Sequence, residues 1–215
     1  MWKIEMFKNY LLHEKLLVRF GALLVLVMAA FLGAWILSYL FLPEGLLRGR
    51  SAAQALAGND LAGGSIWLEW LRLLAINLGA LFLSIIAPNL FRTEKDYPLG
   101  YTSTTLIAVV FGITLGTDSF SLPMGGKMLP TLAILGSSGL YEIIAYVLAA
   151  AATVSISRYR LVGSGLKQKV EVIVPPKTES VMWERLIGVM LAIALLVVAC
   201  GWEAYRFSLA IAAIR

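Results

Sequence analysis

The sequence has little charge, one cysteine and one histidine, and each shortage excludes a class of protein. Charged residues make up 14% of the 215 residues, whereas about 25% is usual in soluble domains. The single cysteine, Cys200, excludes an internal disulfide, and with the single histidine, His13, it argues against a metal cluster. We therefore expect no metal and no cofactor. We also expect no catalytic residues, since Walker, Gly-x-Ser-x-Gly and His-Glu-x-x-His motifs are missing.

Hydrophobic residues make up 60% of the chain and are grouped into long runs. A helix needs about 20 residues to cross a hydrocarbon layer about 30 Å thick. The runs predict an all-α fold, a polytopic membrane helical bundle with about five transmembrane helices in residues 21–215. The predicted spans are residues 21–42, 67–88, 99–116, 128–156 and 183–211.

The first twenty residues form a separate predicted unit. Ile4, Phe7 and Leu11 are at roughly helical spacing, with Lys8 and Lys15 interleaved. Residues 1–20 therefore form either an amphipathic helix on the cytoplasmic membrane surface or a cytoplasmic extension of the first span. Periodicity alone does not separate the two.

The segments between the spans carry three local patterns. Residues 51–57 could form a short surface helix that Gly58 ends. Residues 121–130 favour a glycine and proline hairpin over a re-entrant turn. Residues 170–174 alternate like a short strand before two prolines.

Basic residues predict the orientation, because Lys and Arg are enriched in cytoplasmic loops. With the N-terminus inside, the cytoplasmic face receives most of the basic residues, including Lys8, Arg92, Arg160 and Lys169. We therefore expect a multi-pass protein of the plasma (inner) membrane with a cytoplasmic N-terminus and an extracytoplasmic C-terminus. The net charge of +5 favours contact with anionic lipid over nucleic-acid binding.

Glu142 is the main polar residue predicted inside the membrane, where an unpaired carboxylate costs several kcal/mol. We expect it near mid-depth, level with Asn77 of the second span and hydrogen-bonded to it. Ser138 and Tyr146 lie one turn to either side on the same helix face. Either Glu142 is a protonated acid that holds helices together, or it is a proton or ligand site. The first is favoured, because the sequence indicates only one carboxylate at this depth and relays usually need several groups.

Two acid–base pairs with a spacing of three are predicted at the outer ends of the second and fifth spans. They are Glu69 with Arg72 and Glu203 with Arg206. The favoured interpretation is two interfacial ion pairs with snorkelling arginines. The alternative is a cross-paired lining of an outward-facing vestibule.

Small residues predict close helix packing at three places. Gly112 and Gly116 form a Gly-x-x-x-Gly pair in the third span, Ala29 and Gly33 a similar pair in the first, and Gly139 lies early in the fourth. Such residues let helix backbones approach closely in membranes.

Several of these residues together form a pattern that extends over residues 71–207. They are Asn77, Gly112 with Gly116, Gly139 with Glu142, and Glu203-Ala-Tyr. In this arrangement the sequence resembles the stage II sporulation protein M family. It departs in having Ser137-Ser138-Gly139 where that family has Pro-His-Gly, and Ile76-Asn77 where the family has a doubled Asn. The resemblance implies a five-span scaffold with its N-terminus inside, similar to an anchor that gathers cell-wall-remodelling enzymes.

The leading hypothesis is a non-enzymatic membrane scaffold or accessory subunit that binds other membrane or membrane-associated proteins. A permease component that uses Glu142 and Asn77 is the alternative, and an intramembrane enzyme is the least favoured. Transport predicts water between spans two and four as far as Glu142, whereas a scaffold predicts a dry seam. The lipid bilayer is an expected partner, nucleic acid is not, and the sequence is compatible with a homo-oligomer.

Overall fold

The computed structural model describes residues 2–50, 65–120, 125–131, 134, 138–163, 168–174 and 179–214. In chain order its elements are α1 (Trp2–Leu11), α2 (Leu16–Phe41), α3 (Ile66–Gly79), β1 (Phe91–Thr93), α4 (Leu99–Gly116), α5 (Ser138–Thr153), β2 (Tyr159–Val162), β3 (Lys169–Val172) and α6 (Glu179–Ile214). Five helical segments in this part of the chain are long and apolar enough to span a membrane: Leu16–Phe41, Ile66–Leu90, Leu99–Gly116, Gly139–Ile156 and Met182–Arg206. The predicted all-α, five-span membrane bundle is confirmed.

The second span changes its helical type along its length. After α3 the chain continues as a π-helix over Ala80–Ile86 and a 3-10 turn over Ala87–Leu90. The 3-10 turn contains Pro88, which lacks the N–H that an α-helix would use. The span ends within two residues of its predicted end, but its wide π turn is not visible in the hydrophobic pattern.

The N-terminal segment is a helix of its own. It ends at Leu11, and α2 begins at Leu16, so these residues do not continue the first span as one helix. Arg19, placed in the first unit by sequence, lies inside α2, and its Nη1 donates to the carbonyls of His13 (2.8 Å) and Glu14 (2.6 Å). The Tyr101 hydroxyl donates to the Leu11 carbonyl at 2.9 Å. These bonds hold the turn and dock α1 on the bundle.

The fourth span begins later than predicted. Residues 128–131 are not helical, Ile134 is helical, and the described helix α5 runs from Ser138. Gly125 and Gly126 have positive φ angles of 97° and 130°, and Pro130 follows them. Apolar composition alone did not distinguish this turn from a helix. Residues 121–124 and the predicted surface helix at 51–58 lie outside the described residues.

The closest helix packing joins α2 and α4. A Cβ at Gly112 would lie 2.5 Å from the Phe31 carbonyl oxygen, and one at Gly116 would lie 2.7 Å from the Trp35 carbonyl oxygen. The predicted packing role of this glycine pair is confirmed. Gly33 is different, because a Cβ there would meet nothing within 4 Å. The packing predicted for Gly33 is wrong, since that face of α2 has no neighbour in the described bundle.

Gly139 also packs as predicted. A side chain at this position would collide with the ring of Phe111 on α4. Phe111 in turn stacks on Phe31, with ring centroids 5.8 Å apart. Gly139 therefore lets α5 approach the aromatic contact between α2 and α4.

A small sheet joins the ends of two spans. Strand β1 pairs with β2 in parallel, and β2 pairs with β3 antiparallel. The predicted strand is confirmed as β3, over Lys169–Val172, but the pairing with β1 was not predicted. An ion pair between Arg160 Nη2 and Asp96 Oδ1, at 2.5 Å, braces β2 against the loop after β1. We call this end of the bundle the sheet end and the opposite end the loop end.

Candidate functional site

Five polar side chains from α3, α5 and α6 meet between these three spans. Asn77 is central, because its Nδ2 donates to Glu142 Oε1 at 3.2 Å and to Cys200 Sγ at 3.4 Å. The hydroxyl of Tyr146 donates to Asn77 Oδ1. Glu203 completes the group through Glu142. We call these five residues the Asn77 cluster, and the hydrogen bond predicted between Asn77 and Glu142 is present in it.

Helix geometry places the members of the cluster. Glu142 and Tyr146 are four residues apart on α5 and therefore project from one face. Asn77 also donates to the carbonyl of Leu73, four residues earlier on α3, at 3.1 Å, which orients its amide toward the other spans. Cys200 is fully buried on α6. Sequence reasoning did not assign this thiol to the site, although it is the only cysteine in the chain.

Glu203 occupies a position that the sequence did not predict. Its carboxyl group lies beside that of Glu142 and interacts with it electrostatically. The expectation of a single carboxylate at this depth is therefore wrong, because α6 brings a second one beside the first.

The two predicted acid–base pairs have different outcomes. Arg72 Nη2 and Glu69 Oε1 form an ion pair at 2.9 Å, as predicted. None of the ion pairs in the described part of the chain joins Glu203 to Arg206, and Arg206 is exposed. Glu203 and Arg206 lie near one helix face because they are three residues apart, but the structure brings Glu203 beside Glu142 on the neighbouring helix α5.

The members of the Asn77 cluster lie at different distances from the ends of their spans. Glu142 follows the start of α5 by only one turn, about 6 Å along the axis. Asn77 is the twelfth of the 25 residues of Ile66–Leu90 and lies near the middle of that span, so the mid-depth position of Glu142 stays a prediction. Ser138 is the first residue of α5, and its side chain lies outside the described residues.

Aromatic residues mark the membrane interface near the cluster. Trp67 and Trp70 on α3, and Trp202 and Tyr205 on α6, form two ring pairs, each with centroids 5.9 Å apart. Trp and Tyr are enriched where hydrocarbon meets headgroups. Trp70 Nε1 also donates to the carbonyl of Val197 at 3.1 Å, which joins α3 to α6 beside the cluster. Trp70 precedes Asn77 by seven residues, about 10 Å along α3, so these rings lie between the cluster and the start of that helix.

A second buried polar group lies at the sheet end. Asn89 is fully buried, and its Nδ2 donates to the carbonyl of Ala150 at 2.9 Å and to Thr153 Oγ1 at 2.8 Å. Its Oδ1 accepts from the amide of Gly100 at 3.0 Å. Asn89 thus links three spans, and sequence reasoning missed it. The available signal was an asparagine directly after Pro88, at the end of an apolar run.

Two titratable groups outside the spans lie beside this second group. Arg92 Nη2 donates to the carbonyl of Val154 at 3.0 Å. Burial lowers the pKa of Arg92, and the nearby charge of Asp96 partly opposes this effect. Burial also raises the pKa of Tyr97. The hydrogen bond of Arg92 ties the start of the small sheet to the end of the fourth span.

The chemistry available to the Asn77 cluster is hydrogen bonding. Within the described ranges, no three His, Cys, Asp or Glu side chains are grouped so that they could hold a metal ion. Comparison with protein-family models, curated proteins and solved structures finds no match to the chain. The resemblance to the stage II sporulation protein M family therefore stays a prediction.

Proposed function

We propose that this protein is an integral membrane scaffold or accessory subunit that recruits a partner protein to the plasma membrane. The observation that carries the proposal is the open edge of β3 at the sheet end. Strand order is β1-β2-β3, and no described residue pairs with the outer side of β3. An exposed strand edge presents unpaired backbone groups that another chain can extend.

The direction of the β3 amides identifies which groups a partner would use. The amide of Ile173 donates to the carbonyl of Arg158 at 2.8 Å, toward β2. Because successive amides of a strand point to opposite sides, those of Val170 and Val172 point outward. The side chains of these two valines are 58% and 78% exposed. The edge therefore offers both backbone hydrogen bonds and apolar contacts.

The sheet is also suited to transmit such contacts to the membrane, because it is attached directly to the spans. Strand β1 follows the second span without a linker, and β2 follows the fourth after two residues. The hydrogen bonds of the Asn77 cluster run between spans, which favours a role in holding the bundle together. The family resemblance supports the same scaffold role.

The Val172→Pro variant tests the proposal, because proline removes the outward amide without removing a bond to β2. Purified in mild detergent, the wild-type protein should carry a stoichiometric partner that mass spectrometry identifies. We expect recovery of that partner to fall at least about tenfold in Val172→Pro, because a tenfold loss of affinity corresponds to the free energy of one to two hydrogen bonds. The matched control Val172→Ala keeps the amide and should retain the partner.

Two outcomes would contradict the proposal. Recovery of the partner with Val172→Pro at the wild-type level would exclude the β3 edge as its binding site, and the absence of any partner with the wild-type protein would contradict the scaffold role.

A transport component is the second candidate, and Glu203 beside Glu142 is the observation that favours it. Neighbouring carboxyl groups are a feature of intramembrane proton relays. Cys200, which belongs to the same cluster, provides the test. A scaffold with a dry seam predicts that charged methanethiosulfonate reagents leave Cys200 unmodified in membrane vesicles. Rapid modification from either side would show a water path to the cluster and would favour transport.

A further inference from the structure

A groove opens in the surface of the bundle near the sheet end, between the second, fourth and fifth spans. Its volume is about 420 Å³, within the range of about 300–1,000 Å³ that is typical of ligand pockets. Its lining includes Phe82, Ile86, Ile156, Trp183, Arg185 and Leu186. Phe82 and Ile86 belong to the π-helical segment, so the change of helical type in the second span forms one wall.

The groove faces the bilayer rather than another part of the described bundle. Phe82 and Leu186 line it and are 46% and 51% exposed, although both lie in membrane-spanning segments. Water is poorly accommodated against apolar walls that open to hydrocarbon, whereas an acyl chain fills such a groove at no cost in lost hydrogen bonds. The surroundings therefore favour lipid as the occupant.

Arg185 gives the groove a charge at the end nearest the sheet. It is the only charged residue in the described lining. The neighbouring Glu184 faces Arg19, with 3.7 Å between Arg19 Nη2 and Glu184 Oε2. Arg185 itself makes no hydrogen bond or ion pair with any described residue. A guanidinium group without a carboxylate partner is suited to bind a phosphate in two-point fashion.

Trp183 places this charge at the level of the lipid headgroups. It lies in the first turns of α6, two residues from Arg185, and it also lines the groove. Tryptophan is enriched at the boundary between hydrocarbon and headgroups, and basic pockets between spans bind anionic headgroups. The groove thus combines an apolar channel in the hydrocarbon with a cation at its interfacial end.

We propose that the groove binds one anionic phospholipid, with an acyl chain along Phe82, Ile86 and Leu186 and the headgroup phosphate at Arg185. This site is separate from the Asn77 cluster, which lies toward the loop end, and from the open edge of β3. Its occupancy does not depend on the proposed recruitment of a partner protein.

Quenching of Trp183 fluorescence tests the site with the full chain. The protein is reconstituted in phosphatidylcholine nanodiscs that contain increasing fractions of dibrominated phosphatidylglycerol or dibrominated phosphatidylcholine. The fluorescence of Trp183 is obtained by subtracting the fluorescence of the Trp183→Phe variant from that of the wild-type protein. We expect half-maximal quenching at an about fivefold lower fraction of the anionic lipid, which is what one arginine near an anionic headgroup provides.

Variants test whether Arg185 causes this preference for the anionic lipid. Arg185→Gln should abolish it, and Arg185→Lys should keep most of it. The matched control Arg158→Gln removes the same charge from an exposed position at the sheet end and should leave the preference unchanged.

Three results would overturn the proposal. One is equal quenching by the two brominated lipids in the wild-type protein, a measurement that needs no Arg185 variant. Another is equal loss of preference in Arg158→Gln and Arg185→Gln, which would indicate general surface charge. The third is the absence of Trp183 quenching by either lipid, which would indicate that a protein segment fills the groove.

Discussion

Replacing Asn77 by alanine tests whether the Asn77 cluster holds three spans together. Asn77 bonds to Glu142 and Tyr146 on α5 and contacts Cys200 on α6. Hydrogen bonds between membrane helices contribute about 0.6 kcal/mol on average and about 1.7 at most. Loss of the two bonds to α5 should therefore reduce the free energy of unfolding by about 1–3 kcal/mol, a change of about 5- to 150-fold in the unfolding equilibrium.

Unfolding by sodium dodecyl sulfate in mixed micelles, followed by tryptophan fluorescence, measures this change. The matched control is Asn9→Ala, since Asn9 is exposed on α1 and should leave stability within about 0.5 kcal/mol of the wild type. A double-mutant cycle of Asn77→Ala with Tyr146→Phe should give a coupling of about 0.6–1.7 kcal/mol. Strictly additive effects, or an Asn77→Ala protein as stable as Asn9→Ala, would refute the stabilising role of the cluster.

Two further predictions concern packing and orientation. Gly116→Ala should destabilise the protein by about 1–3 kcal/mol, because its Cβ would lie 2.7 Å from the Trp35 carbonyl oxygen. Gly33→Ala is the matched control in open space, and the same unfolding assay should show no loss; equal losses would contradict the close contact between α2 and α4. For orientation, a cysteine introduced at Ile214 should react with an impermeant thiol reagent added to intact cells, with buried Cys200 as the silent background. Protection at position 214 would reverse the proposed orientation.

Local patterns in the sequence predicted the helices and the strand that depend mainly on neighbouring residues in the chain. Long apolar runs were sufficient for the five spans, because a helix that satisfies its own backbone is the stable form of such a run in lipid. The ends of the third span, Leu99 and Gly116, were predicted correctly, since Pro98 precedes the helix. The alternation from residue 170 predicted β3, although not its partner.

Part of the candidate site also followed from the sequence. Counting residues from the predicted span ends brought Asn77 and Glu142 to the same level, and they are bonded. The predicted start of the fourth span was too early, since residues 128–131 are not helical, so the agreement also depended on how the helices pack side by side.

The sequence by itself determined which residues enter the membrane and which residues share a helix face, because both depend on hydrophobicity and a period of 3.6 residues. Only the tertiary structure decided which faces meet. It placed Glu203 against Glu142 instead of Arg206, left Gly33 in open space while Gly116 packs on α2, and paired β1 with β2 across two spans. These contacts join segments far apart in the chain, and the side-chain packing between helices selects among several faces that the sequence pattern leaves equivalent.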